Sequence, residues 1–144
     1  MPQLMPTPTN APSLPHSFWQ AALRGIRGKC PRCGEASLFR AFLKPRDTCP
    51  TCAMDWTPQR ADDFPAYVSI LITGHVVTPV VMWLVLGTEM GTGAITAIVV
   101  PLTVTIMLGT LPPAKGAIIA MQWWNGMHGF ARERPAIAAS IPAL

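Results

Sequence analysis

Two long apolar runs in the second half of the chain dominate its hydrophobic pattern. The first, residues 67–86 (YVSILITGHVVTPVVMWLVL), carries no formal charge when His75 is neutral. At about 1.5 Å of rise per residue, a helix of that length crosses a hydrocarbon core of about 30 Å. Just ahead of it, Asp62, Asp63 and Pro65 suit a helix N-terminus, because carboxylates favour the positive end of the helix dipole and proline fits the first turn. Tyr67 and Trp83 are residues that favour membrane interfaces. The second run, residues 94–111 (AITAIVVPLTVTIMLGTL), is followed by Pro112-Pro113, a pair that predicts a helix stop. Residues 87–93 (GTEMGTG) between the runs form a flexible connection. Residues 61–113 therefore read as a transmembrane hairpin with spans of about 67–86 and 94–111.

Outside the hairpin the pattern changes. The stretch around 115–130 (KGAIIAMQWWNGMHGF) is apolar but broken by Gly116, Gln122, Asn125, Gly126 and His128, so a third crossing is not expected. Residues 114–131 instead read as an interfacial amphipathic helix, with Ile118, Ile119, Met121, Trp123, Trp124 and Met127 toward acyl chains or the hairpin and Lys115 near phosphate. Phe18, Trp19, Leu23 and Ile26 recur at helical spacing among Arg24 and Arg27, and this segment either rests on the bilayer surface or leads into the next module. Residues 1–17 hold five prolines and no signal-peptide pattern, which predicts a solvated tail; residues 132–144 read as a second flexible tail.

The four cysteines, Cys30-Pro31-Arg32-Cys33 and Cys49-Pro50-Thr51-Cys52, have the spacing of a four-thiolate zinc site, in which each two-residue gap lets a tight turn offer both sulfurs to one ion. Gly34 stands where a positive φ helps the first knuckle; Ala53 holds that place in the second, which makes its turn harder to form. Leu38, Phe39, Phe42 and Leu43 would supply a small β-rich module with its few core contacts, so the metal must supply the rest of its stability. A redox pair normally sits in a thioredoxin-like βαβ context, for which this chain has no room. Iron–sulfur or copper ligation stays open, since thiolates suit both.

Composition sharpens the class. With 50% hydrophobic and 12% charged residues in 144, the chain departs from the roughly 25% charge of a soluble domain and is too short for a Rossmann unit or TIM barrel. Eight of its eleven Lys and Arg precede Tyr67, three follow Pro113, and Glu89 is the only charge between those limits. Positive flanks lie on the cytoplasmic side, so both termini are expected there, and the reducing cytosol agrees with thiolates rather than disulfides. Topology and attraction to anionic lipid account for the basic residues, so no nucleic-acid partner is expected. His75 is a candidate cofactor ligand because an ionisable group at membrane depth is a functional candidate, and Pro79 frees the His75 carbonyl. The competing reading pairs its ring with Thr103, Thr105, Ser69 or Thr73 in helix packing. Asp62 and Asp63 suit capping better than acid/base chemistry. With no phosphate loop, nucleophile elbow or His-x-x-x-His pair, the chain is not expected to be an enzyme.

The ordered segments RGIRGKCPRCGEASLFRAFLK, CPTCAMDW, RADDFPAY, GHVVTP and LPPAKGAIIAMQWWNGMHGF resemble the bacterial membrane family catalogued as domain of unknown function 983, over about Arg24 to Phe130. The usual glycine after the second CxxC is Ala53 here. The resemblance implies a small multi-pass protein of the bacterial inner membrane, and relatives encoded among assembly factors suggest assistance to cytochrome oxidase assembly. The fold expected is mainly α: a two-helix transmembrane hairpin, an N-terminal cytoplasmic zinc ribbon binding Zn2+ through Cys30, Cys33, Cys49 and Cys52, and a C-terminal interfacial helix. Its expected partners are the lipid bilayer and a membrane protein or a second copy, since Gly74, Ala94, Ala97 and Gly109 permit close helix contact. Its alternative role is copper or haem handling, or thiol redox chemistry, using the CxxC pairs and His75.

Overall fold

In the computed structural model, residues 13–132 are described. Their element order is α1 (Phe18–Ile26), β1 (Phe39–Ala41), β2 (Lys44–Pro45), α2 (Phe64–Gly87) and α3 (Thr92–Asn125). α1 begins with reciprocal capping: the Ser17 hydroxyl accepts from the Gln20 N–H at 3.3 Å, and Gln20 Oε1 accepts from the His16 N–H at 2.7 Å, which satisfies donors that an open helix end would leave free. β1 and β2 pair antiparallel, Phe39 opposite Pro45 and Ala41 opposite Lys44, and Leu43 takes a left-handed φ of 58° at the turn.

α2 and α3 are each long and apolar enough to cross a membrane. Ser69, fully buried, ties them together: its hydroxyl donates to the Met107 carbonyl at 2.9 Å and meets the Thr110 hydroxyl at 2.6 Å. Their outer faces leave Leu71, Met82, Trp83, Leu86, Val100 and Leu108 exposed. A helix in the core of a water-soluble protein would bury such side chains.

Three features differ from the sequence reading. No helix stop occurs at Pro112-Pro113, because α3 runs through both prolines for 34 residues. Proline removes its own N–H but not the helical φ, and tertiary contacts beyond Pro113 hold the remaining turns. At about 51 Å, α3 outreaches α2 at about 36 Å, and its buried residues begin only at Ala114. The expected separate interfacial helix is thus the end of α3, and Ile118, Ile119 and Trp123 face the protein core rather than acyl chains. Within the chain, a Cβ added at Gly74 or Gly109 has no atom within 4 Å, so both positions face open space. The close helix contact inside the chain lies where α1 crosses α3, with Gly25 and Gly116 backbone to backbone. Of the expected tail, residues 13–17 lie on the protein instead: Pro15 is fully buried and Leu14 packs on the core. The tails at 1–12 and 133–144 fall outside the described residues.

Candidate metal centre

Each cysteine pair sits on a tight turn. The Gly34 N–H bonds to the Cys30 carbonyl at 2.8 Å, and the Ala53 N–H bonds to the Cys49 carbonyl at 2.9 Å. Gly34 has φ 72° and Ala53 φ 55°, so the second knuckle adopts the same left-handed turn despite carrying a Cβ, at a cost of about 1 kcal/mol. The two turns face each other. Cys30 Sγ lies 3.8 Å from Cys52 Sγ and Cys33 Sγ lies 3.7 Å from Cys49 Sγ, and all four sulfurs fall within 4.8 Å of one another. All are free thiols. Sulfurs placed tetrahedrally about 2.3 Å from one ion would be about 3.8 Å apart, so the spacing fits a single ion. An iron–sulfur cluster shares its four cysteines among two or four irons and needs a wider spread than one ion does.

Burial sets the electrostatics. It pushes the Cys30 thiol well above the ordinary range despite N–H donors from Cys33 and Arg32, and pushes Cys52 up less strongly against the Met54 N–H. At Cys33 burial acts in the same direction, but the N–H groups of Ala36 and Glu35 outweigh it and the thiol falls below its usual value. Without a cation, buried thiolates side by side are therefore unfavourable, whereas a bound metal ion would supply the compensating charge and release the protons.

The cluster belongs to a larger core. Cys30, Cys33 and Cys49 are buried together with Leu38, Trp56, Ile119, Trp123 and Phe130. Trp56 meets Trp123 edge-on at 6.2 Å and Phe130 at 5.7 Å. Of the residues expected to fill the module, Leu38 is buried and Phe39 packs on it, but Phe42 is 60% exposed.

Three polar side chains lock the cysteine module to the helices. Gln122, buried in α3, accepts the Arg60 N–H at 2.9 Å and donates to the Arg60 carbonyl at 2.5 Å, acting as a strand partner to the linker ahead of α2. Lys115, expected near lipid phosphate, donates to the Leu43 carbonyl at 2.8 Å and so holds the hairpin turn. Arg24 of α1 donates to the carbonyls of Ser13 at 3.0 Å and Arg32 at 3.1 Å. Spacing gives no warning of these roles. Gln122 looked like a break in an apolar helix, and its signal was only that a lone amide in such a run must find partners when buried.

His75 does not join this centre. Its ring Nδ1 lies 2.8 Å from the Leu71 carbonyl of its own helix, and the side chain is exposed. The expected partners are engaged elsewhere or not aimed at it: Thr103 and Thr105 bond to the carbonyls of Val99 and Pro101, and Ser69 faces α3. Asp63 is the N-cap residue of α2, without a side-chain cap bond. His75 stands twelve residues further along the same helix, about 18 Å of rise, so Asp62, Asp63 and His75 do not form one cavity. Among the described residues, the metal-competent group of three or more ligating side chains is the four cysteines.

A family model described as Protein of unknown function (DUF983) matches residues 39–123, more than half of the chain. The chain belongs to the DUF983 family. No curated protein and no solved structure matches it. The matched stretch of this DUF983 protein takes in Cys49 and Cys52, the Arg60–Gln122 lock, α2 and all but the last two residues of α3. Cys30, Cys33 and α1 precede it, although the first knuckle completes the sulfur cluster.

Proposed function

We propose that this DUF983 protein is a non-enzymatic accessory protein of the bacterial inner membrane. In this reading α2 and α3 cross the bilayer, both termini are cytoplasmic, and the four cysteines hold one structural Zn2+. The observation that carries it is the shared core: the sulfur cluster, Trp56 and the end of α3 pack as one unit. A metal there fixes the cytoplasmic module rigidly on the hairpin, and four protein ligands leave no open coordination position for chemistry. Apolar faces on both long helices and the small rigid module offer docking surfaces for a membrane-protein partner or a second copy. Arg24, used on backbone carbonyls, supports a structural rather than a nucleic-acid role for part of the basic set. Assistance to assembly of a respiratory oxidase is the process we attach to this role, and it rests on family resemblance alone.

Elemental analysis of detergent-purified protein, before and after a moderate chelator, tests the reading. One zinc per chain, retained against the chelator and lost with normal abundance in Cys49→Ser, is the expected result. Copper, iron, or metal that leaves readily would replace it with cofactor handling. Co-purification with oxidase subunits, lost on deleting the cysteine module, tests the process.

A further inference from the structure

α1 is packed inside out for a helix in water. It buries its small residues, Ala21 at 0% and Ala22 at 7% exposure together with Gly25, against α3, and leaves Trp19 74%, Leu23 49% and Ile26 44% exposed. At 100° per residue those three large side chains fall within an arc of about 60°. An aqueous surface would favour the opposite choice, since burying Trp, Leu and Ile removes far more apolar area from water than burying alanine.

What lies beside this arc points to its solvent. Two shallow apolar grooves, of about 250 and 310 Å³, share Ile26, Val68, Ala114 and Ala117 and run from under α1 onto the hairpin. Phe64 and Tyr67, at the start of α2, are exposed nearby in sequence at 56% and 68%. The apolar surface of α1 is therefore continuous with the apolar surface of the hairpin. Charge adds a sign: residues 18–60 carry eight Lys and Arg against three acidic residues, with Arg27, Lys29, Arg40 and Lys44 exposed.

We infer that α1 is an interfacial helix whose Trp19, Leu23 and Ile26 face lies at the headgroup and upper acyl level of the membrane, beside anionic lipid. The inference rests on the membrane reading of the hairpin and assigns the lipid-contacting amphipathic helix to α1 rather than to residues 114–131. Trp and aliphatic side chains on one face with basic residues flanking it are the pattern of helices that lie in the interface plane. Anionic headgroups attract the exposed cations. In this reading the cysteine module, which follows α1 directly in the chain, is held close to the bilayer surface.

The test uses the full chain labelled with 5-fluorotryptophan in bilayer nanodiscs, with Trp19→Phe and Trp83→Phe assigning two of the fluorine resonances. Phosphatidylcholine lipid spin-labelled near the headgroup should attenuate the Trp19 signal, while a water-soluble gadolinium chelate should leave it. Adding phosphatidylglycerol should deepen the loss. A Trp19 signal lost to the chelate and kept with spin-labelled lipid would show α1 facing water. A signal kept with both agents would show a protein covering that face, a second copy or a partner; either result overturns the inference. Equal loss with and without phosphatidylglycerol would overturn the anionic preference. Trp83, 66% exposed on α2, reports separately on the hairpin: if spin-labelled lipid spares it, the membrane reading itself fails.

Discussion

Gly116→Ala separates what the fold requires from what helix propensity requires. By propensity alone, alanine in the interior of a helix is better than glycine by about 0.8–1.0 kcal/mol. In this structure a Cβ on Gly116 would overlap the Gly25 carbonyl oxygen and lie 2.6 Å from the Gly25 carbonyl carbon, and the Gly25 Cα is at 3.4 Å. These are backbone atoms with no rotamer to swing away. Restoring ordinary contact means moving α1 off α3 by about 1 Å, and that movement opens the layer beneath, where α1 buries Ala21, Ala22 and Gly25. Overpacking of that kind costs about 1–3 kcal/mol and sometimes more. Since both helices must shift as rigid units, a net loss of about 3 kcal/mol is expected after the propensity gain. For a chain of this size that lowers the melting temperature by about 10 °C.

The assay is thermal unfolding in a mild detergent, followed by loss of the folded monomer on size exclusion and by release of bound metal. Gly74→Ala and Gly109→Ala serve as internal references, because an added Cβ at either position has no neighbour within 4 Å and only the propensity term remains. Both should melt at or slightly above wild type. Gly25→Ala aims a Cβ into the same crossing, at the Gly116 carbonyl, so combining it with Gly116→Ala should cost less than the sum of the two. If Gly116→Ala proved as stable as the two references, the backbone contact between α1 and α3 would be wrong, and so would the placement of the cysteine module on the end of α3.

The other predictions concern the knuckles, the lock and pH. Ala53→Gly should stabilise the metal-loaded protein by up to about 1 kcal/mol, because it relieves a left-handed φ, whereas Gly34→Ala should destabilise it, since its Cβ would also meet the Arg24 side chain at 2.8 Å; melting temperatures decide both. Gln122→Leu strands the Arg60 N–H and carbonyl without their partner, and about 3 kcal/mol should be lost at about 1–3 kcal/mol for each buried group; unchanged melting would remove Gln122 from its locking role. Metal affinity should fall by at least about 100-fold per pH unit on acidification, because at least the two raised thiols, Cys30 and Cys52, must give up protons to bind; chelator competition between pH 6 and 8 measures the slope. The metal-free protein should show the opposite trend. Its Cys30 and Cys52 thiols lie above the ordinary value of 9.0 in the folded state, so their contribution is intact below about that pH and is lost as pH rises toward the folded values; a metal-free form that gained stability above pH 9.0 would contradict the burial of Cys30.

The sequence makes the metal-site candidates and the two long helices legible for one reason: both signals are local. A CxxC spacing fixes the turn that presents its sulfurs, and an uncharged stretch near the length of a bilayer crossing announces itself through composition alone. What stayed hidden depends on partners far away in the chain. Pro112-Pro113 is a sound stop signal in an isolated helix, and it fails here because Lys115, Gly116 and Gln122 beyond it are held by Leu43, Gly25 and Arg60. Gly116 and Gln122 read as interruptions of an apolar run and Lys115 as a contact to lipid phosphate, although each is the residue its contact demands: no side chain at a crossing, an amide with both a donor and an acceptor, a long cation for a turn carbonyl.

The apolar pattern misleads for a related reason. Hydrophobic periodicity shows that a face is apolar but not whether protein or lipid covers it. The end of α3 and α1 both present such faces, and their mutual packing divides them: Ile119 and Trp123 go inward to the sulfur cluster, so the large residues of α1 are left outside. Glycine at the crossing enforces that division, since only a backbone-to-backbone approach lets α1 reach α3 with its alanines rather than with Trp19 and Leu23. A single Cβ at Gly116 therefore bears on both ends of the architecture: it loosens the seat of the cysteine module, and it releases the helix whose outer face we assign to the bilayer.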